Sequence, residues 1–353
     1  MLTASSGGNT EDDDLHHLKI NFTSKKLIPD ITGGDVDGDG GRRRGNRRIG
    51  PISVPGHIAI GMSNHNLNIF ERRSKNMFGS CRGNALGMSA RNDLWGTQAF
   101  LSATHAQDGD YRMETPTVAF GYDRRLSRRT FVGIGAALGW PDFSSERTRI
   151  KADDSTLALY GGTKTRSGIE LTGRAGLGST SYRQTRNVRD EYHASRFGSH
   201  SFFTGLGVSK LLSTGSPGFC LRPGVNYDYI RLMMDGFHED GGGLYALHFD
   251  KYSQDLHRLK IGLDVNWQPR RWFNATGEIF YLGMYARSPQ TRAHLVNDPV
   301  NGFTTVGTQI DQNNLGLQLH LPLNRWELGA GYTALFARDT ASQQATLNAV
   351  YRF

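Results

Sequence analysis

From about residue 92 to the end of the chain, apolar and polar residues alternate with a period of two, segment after segment, with no convincing helix between them. In the stretch from Arg258 to Trp267, Leu259, Ile261, Leu263, Val265 and Trp267 share one face, while Arg258, Lys260, Asp264 and Asn266 share the other. The same split recurs from Ile169, where Ile169, Leu171, Ala175 and Leu177 oppose Glu170, Thr172 and Arg174. It recurs again in NLGLQLHL, where Leu315, Leu317, Leu319 and Leu321 oppose Gln318 and His320. Alternation predicts strands near 94–105, 115–126, 130–140, 154–165, 168–182, 198–213, 218–231, 254–267, 272–286, 305–321, 325–337 and 344–353. A soluble sandwich would alternate too, so the gaps between strands carry more weight. They run long, short, long, short along the chain, the longest being 141–153, 183–197, 232–253 and 287–304. Outer-membrane barrels keep short periplasmic turns and longer extracellular loops. The expected fold is all-β, a closed antiparallel transmembrane β-barrel of about 12 strands.

The segment before the strands reads differently. From Ser63 to Ser80, Leu67, Phe70 and Met77 are spaced among Asn, Arg and Lys, with Ser63 or Asn64 as a cap. Such a helix is marginal in water and suits a polar lumen. The expected division is therefore a disordered, Gly-rich charged tail or passenger remnant at 1–60, a pore-spanning helical linker at 61–91 and a barrel at 92–353. The tail's charged, Gly-rich text cannot bury enough apolar surface to offset its ordering entropy.

Composition fits a barrel better than first appearance suggests. A mean hydropathy of -0.49 and a net charge of +8 would suit a soluble basic protein, but they are blind to strands that place apolar residues outward only at alternate positions. The longest apolar run, FVGIGAALGW, is far short of the roughly 18 residues a spanning helix needs. Two cysteines, Cys81 and Cys220, exclude a disulfide-dense scaffold and a four-cysteine zinc site. Both would lie near the short-turn rim, which leaves a bridge or two separate thiols as open readings. The first twenty residues show no basic region, apolar core or cleavage site of a secretory leader. Export to an outer membrane therefore calls for a longer gene or a different start.

The final residues place Ala345, Leu347, Ala349, Tyr351 and the terminal Phe353 on one face, and Thr346, Asn348 and Arg352 on the other. An amphipathic last strand with a terminal aromatic resembles the assembly signal of outer-membrane barrels, carried here by Leu347, Tyr351 and Phe353. Recognition by the insertion machinery would proceed by strand addition. The polar helix, the opening strand LWGTQAFLSATHAQDG, the following TPTVAFGYDRRLSRRTFVGIGAALGW and the closing LNAVYRF together resemble an autotransporter β-domain. The resemblance implies an outer-membrane translocator of type V secretion, with the helix inside the lumen linking an exported N-terminal passenger to the barrel. The N-terminal segment would then point toward the cell surface. It implies as partners outer-membrane lipid, the insertion machinery and the chain's own passenger, and as linker residues Asn66, Asn68, Glu71, Arg72, Arg73 and Lys75. Their counter-charges would be the lumen-facing Arg174, Arg258, Lys260 and Asp264.

Other chemistry finds little support. Asp35, Asp37, Asp39 and Gly40 open like a calcium loop, but position twelve is Asn46 and Arg42, Arg43 and Arg44 intervene, so no metal is expected. The basic run RRRGNRR has no aromatic residue for stacking on bases, so no nucleic acid is expected. No nucleophile elbow or zinc-protease motif occurs. No cofactor, no catalytic residue and no small-molecule substrate is expected. Asn64, Asn66 and Asn68 lie where some autotransporters cut themselves by asparagine cyclisation, but ordinary helix polarity explains them. Two rivals remain open: a passenger-less porin or adhesin-type barrel, and a barrel-embedded hydrolase using loop residues such as His238, Glu239 and Asp240.

Overall fold

The computed structural model describes residues 54–79, 91–105, 111–188, 191–216, 218–241, 246–270, 273–286, 290–295, 298–306, 310–323, 326–336 and 340–353. One helix, α1 (Val54–Met77), precedes the strands. These are β1 (Asn92–His105), β2 (Tyr111–Arg125), β3 (Thr130–Gly139), β4 (Asp142–Ser145), β5 (Thr148–Lys164), β6 (Ile169–Val188), β7 (Glu191–Lys210), β8 (Leu212–Ser213) and β9 (Phe219–Met234). They continue with β10 (Phe237–His238), β11 (Leu247–Phe249), β12 (Tyr252–Arg270), β13 (Phe273–Ala286), β14 (Gln290–Leu295), β15 (Asp298–Val306), β16 (Ile310–Leu323), β17 (Trp326–Phe336) and β18 (Thr340–Arg352).

Twelve long strands form one antiparallel ring, in the order β1, β2, β3, β5, β6, β7, β9, β12, β13, β16, β17, β18. The ring closes because β1 pairs with β2 along one edge and with β18 along the other, from Asp93 opposite Arg352 to His105 opposite Thr340. Closure leaves no unpaired edge, the condition for a sheet to cross a bilayer. Backbone bonds between Asn92 and Phe353 in both directions, 3.1 and 2.9 Å, seal the seam to the last residue. The short turns 126–129, 165–168 and 211–218 lie at the same end as this seam's close, and β4, β10, β11, β14 and β15 elaborate the opposite, loop end.

The exterior is apolar over a broad band. Leu94, Phe120, Ile134, Leu157, Leu159, Leu177, Leu206, Ile261, Ile279 and Leu347 are all exposed there. A soluble monomer does not expose a continuous apolar girdle of this size, whereas a lipid-facing barrel must. Trp267, Trp326, Tyr351 and Phe353 mark its lower margin, with rings of Trp326 and Tyr351 4.9 Å apart. No described helix is long and apolar enough to cross a membrane.

Two sequence expectations need correction. Strands β5, β6 and β7 run well into the stretches read as the long gaps 141–153 and 183–197, and Val188 already pairs with Glu191. The reason is a polarity inversion. Below it, Leu157, Leu177 and Phe202 point out while Asp154, Arg174 and Asp228 point in; above it, Lys151, Arg183 and Arg196 point out while Ile150, Ala152, Tyr182 and Phe197 are buried inside. Outward apolar residues stop where lipid stops, but the ladder continues. The helix also starts at Val54, not near 61 or 63. Pro55 is tolerated in a first turn because its missing N–H has no intrahelical acceptor there. Residues 1–53 and 80–90, and the side chains of the β16 segment NLGLQLHL, lie outside the described residues.

Candidate functional site in the barrel lumen

Twenty-four helical residues span about 36 Å, enough to thread a barrel of this height. The helix shows no single apolar face: Ile58, Ile60, Leu67 and Phe70 are buried, and so are Asn64, Asn66, Glu71 and Arg73. A helix enclosed on all sides must match its wall level by level. Its N-terminal end lies at the loop end, near Tyr252, and its C-terminal end lies at the short-turn end, where Arg222 donates to the carbonyls of Lys75 (3.4 Å) and Gly79 (2.5 Å).

The upper level is apolar. Ile58, Ala59, Ile60 and Met62 belong to one buried cluster with Met113, Phe143, Ile150, Ile230, Leu232, Met234 and Leu256 of the wall. Above them Tyr182, Phe197, Phe237 and Phe249 stack in succession, with centroids 4.9, 4.0 and 4.5 Å apart. Phe237 and Phe249 lie on β10 and β11, part of a small sheet completed by β14 and β15, and carry the stack of rings on from the wall.

The middle level is polar. Asn66 Nδ2 donates to Asp154 Oδ2 and Thr156 Oγ1, each at 2.9 Å, and Thr180 donates to Asp154 Oδ1 at 2.7 Å. Phe70 packs edge-on against Trp95 at 6.2 Å and beside Tyr160 at 5.9 Å. Gly135 makes room for them, since a Cβ there would lie 2.8 Å from both the Phe70 and Trp95 rings.

The lower level is a charge network. Lys260 Nζ bridges Glu71 (2.9 Å) and Glu278 (2.8 Å) and lies 3.8 Å above the Phe280 ring. Arg258, fully buried, donates to Glu71 (3.3 Å), Asn64 (2.8 Å), Asn68 and Asp228. Arg174 donates to Asp228 at 2.7 Å and lies 3.8 Å from Glu71. Lys75 reaches Glu71, Asp264 and Glu278 within 3.5 Å. Arg72 donates to Thr333 (2.6 Å) and pairs with Glu278 (3.5 Å). On the seam side, Arg73 joins Asp93 (2.9 Å) and Asp123 (2.6 Å). Arg222 closes the set on Glu170 at 3.2 Å. Seven cations (Arg72, Arg73, Lys75, Arg174, Arg222, Arg258, Lys260) therefore meet seven carboxylates (Glu71, Asp93, Asp123, Glu170, Asp228, Asp264, Glu278). Such a network adds little net stability over an apolar filling, but losing one member strands a buried charge. What it supplies is position.

All ten linker and lumen residues singled out in the sequence lie in this lumen. Sequence reasoning placed Glu170 on the polar face but did not single out Asp93, Asp123 or Glu278, each on the inward parity of its strand, nor the pairing of Asp228 with Arg174 and Arg258. Parity was the available signal, once the neighbouring lipid-facing residues fix which positions point in. Among the described residues no group of His, Cys, Asp and Glu could hold a metal ion. Leu347, Tyr351 and Phe353 lie on the outer face of β18, Tyr351 and Phe353 with rings stacked 5.9 Å apart. Cys220 is buried at the start of β9 and carries no free thiol; Cys81 is the chain's other cysteine and lies outside the described residues.

The helix leans on β3, β5, β6 and β9, which leaves a narrow solvent-connected cleft on the other side, between Arg72, Asn76 and the polar Thr97, Gln344, Thr346 and Asn348 of β1 and β18.

A lipid-girdled, closed twelve-stranded barrel with a helix through its lumen defines an outer-membrane transport barrel. A family model described as the autotransporter β-domain matches residues 95–333, and the chain belongs to that family. It is thus an outer-membrane translocator of type V secretion, a class that exports its own passenger and is generally not catalytic. Among solved structures, the translocator domain of the autotransporter NalP from Neisseria meningitidis superposes with a TM-score of 0.65 at 16% identity, over 83% of this chain and 98% of that one. The β-domain of the Bordetella autotransporter BrkA gives 0.54 at 11% identity, over 74% and 100%. Both show the fold. No curated protein matches the sequence.

Proposed function

We propose that α1 is the stalk left in the pore once export is complete, with the passenger joined to its N-terminus at the loop end and that end facing the cell exterior. The observation carrying this reading is the matching of helix and wall level by level, above all the enclosure of Glu71 by four cations from helix and barrel. Residues 54–79 then form the linker and 92–353 the barrel, with Leu347, Tyr351 and Phe353 gripped by the insertion machinery during assembly. Surface labelling tests the orientation. In intact cells, a cysteine introduced at Ser181 should react with an impermeant maleimide and one at Ser127 should not; the reverse would invert the topology.

A second reading rests on the contact between Asn66 and Asp154. A carboxylate accepting from an asparagine amide could serve as base while that nitrogen attacks its own carbonyl carbon, breaking the Asn66–Leu67 bond. The rest of the geometry favours anchoring. Asn66 donates to both Asp154 and Thr156, so its nitrogen is held against the wall. We infer an uncut helix and no enzyme. Intact mass of the assembled protein tests this: one full-length species is expected, and a fragment beginning at Leu67 would establish self-cleavage.

A further inference from the structure

Exposed positive charge lines both rims of the barrel, at different depths relative to the apolar band. At the loop end, Arg112 sits on Glu114, Arg149 on Asp142 and Arg183 on Asp153, whereas Arg147, Lys151, Arg196 and Lys251 are exposed and pair with no acid among the described residues, on strands that continue beyond the apolar band. At the short-turn end, Arg91, Arg124, Arg128, Arg129, Arg166 and Lys210 are all exposed, and none pairs with an acid among the described residues. The carboxylates near them are spoken for. Asp93, Asp123 and Glu170 are buried in the lumen network and Glu327 is bound to Arg352, leaving only the terminal carboxylate of Phe353.

Their depth is informative. Val132 and Val208, both exposed and lipid-facing, lie three residues from Arg129 and two from Lys210, about 7 to 10 Å along the strand. The polar headgroup layer of each leaflet is about 5 to 8 Å thick, so these cations lie at the level of lipid phosphates. Leu126 and Leu212, exposed within the turns themselves, place apolar side chains beside them. They lie at the start of β1 (Arg91), the β2–β3 turn (Arg124, Arg128 and Arg129), the β5–β6 turn (Arg166) and the end of β7 (Lys210), an arc along one side of the barrel.

We propose that this rim is a binding surface for anionic phospholipid headgroups in the leaflet at the short-turn end. Each guanidinium or ammonium there replaces a counterion on a phosphate, and the arc helps fix the vertical position of the barrel from below as the aromatic residues do at the apolar margin. The inference requires only that the barrel spans a bilayer, and not the orientation proposed above.

The full chain, folded in detergent micelles, is titrated by native mass spectrometry with phosphatidylglycerol and, separately, with phosphatidylcholine. Phosphatidylglycerol should bind more tightly, with an advantage that fades as salt rises. Replacing Arg124, Arg128 and Arg129 together by Gln should weaken it about a hundredfold, since each cation near an anionic surface is worth about a factor of five. The loop-end triple Arg112→Gln, Arg149→Gln, Arg183→Gln should leave it unchanged. Heat-modifiable electrophoretic migration shows whether each variant folds; should the short-turn triple fail, Arg128→Gln alone and the wild-type lipid comparison still decide. Equal binding of the two lipids, or equal loss in both triples, would overturn the proposal. So would binding of polyglutamate with no preference for phosphatidylglycerol, which would point to an acidic protein.

Discussion

Ile60 and Glu71 lie about three turns apart on one helix, both buried, in surroundings with nothing in common. Ile60 packs in an apolar plug continued upward by stacked aromatic rings. Glu71 is held by Lys260, Arg258, Arg174 and Lys75. The difference separates two tasks. An apolar contact is non-directional and can slide, so it seals. A hydrogen-bonded ion pair in a low-dielectric site tolerates little displacement, so it fixes register. A stalk that enters during export and stops at a defined depth uses both: a seal where the lumen meets the loops, and a latch where it meets the short turns.

Several perturbations would break or sharpen this contrast. The largest effect concerns the wall that both levels presuppose. Deleting Phe353 removes the backbone pairing with Asn92 and the terminal aromatic, so most of the assembled protein should be lost from the outer membrane; an unchanged yield would discount the terminal strand as an assembly signal. Next comes the latch. Glu71→Gln removes the carboxylate shared by four buried cations, leaving seven cations to six carboxylates in the network, and should cost about 3 to 5 kcal/mol of helix docking, read as denaturant-dependent protease sensitivity of α1. In the seal, Ile60→Ala should cost about 2 to 5 kcal/mol by the same assay, but the volume-conserving Ile60→Leu should cost less than about 1.5 kcal/mol. No similarly mild exchange exists for Glu71. If Glu71→Gln proved as mild as Ile60→Leu, the two levels would not differ in kind.

The smallest expected signal is chemical. Cys220 carries no free thiol and shares the lumen face with Arg222, which holds the C-terminal end of α1. A bridge to Cys81, the one other cysteine, would tether the segment after the helix to the same rim. The denatured, exported chain should therefore take up little maleimide without reductant and two equivalents with it; full labelling without reductant would leave two separate thiols.

The barrel was legible because lipid imposes a strict rule on every second residue. Strands such as Arg258–Trp267 announced both faces, and the terminal strand announced its end. Legibility failed where the rule changes sign. Beyond Leu157 and Leu177 the outward positions become Lys151, Asp153 and Arg183, and the text of a strand in water looks like a loop. The helix start was missed for a related reason: VPGHIAIGM carries Pro and Gly and no charge, yet its Ile and Met side chains are the seal. The lumen charges on α1, β6 and β12 could be named from parity and composition. Their partners Asp93, Asp123 and Glu278 could not be assigned, because pairing across 18 to 206 residues of sequence depends on strand register, which alternation alone does not encode.

The most direct test compares two forms of the protein in planar lipid bilayers, one beginning at Val54 and one at Asn92. With α1 seated, the helix fills the lumen, so the longer form should pass little current. Without α1 the lumen loses its plug, and conductance should rise several-fold. Equal conductance in the two forms would contradict a helix lodged in the lumen and favour an open porin.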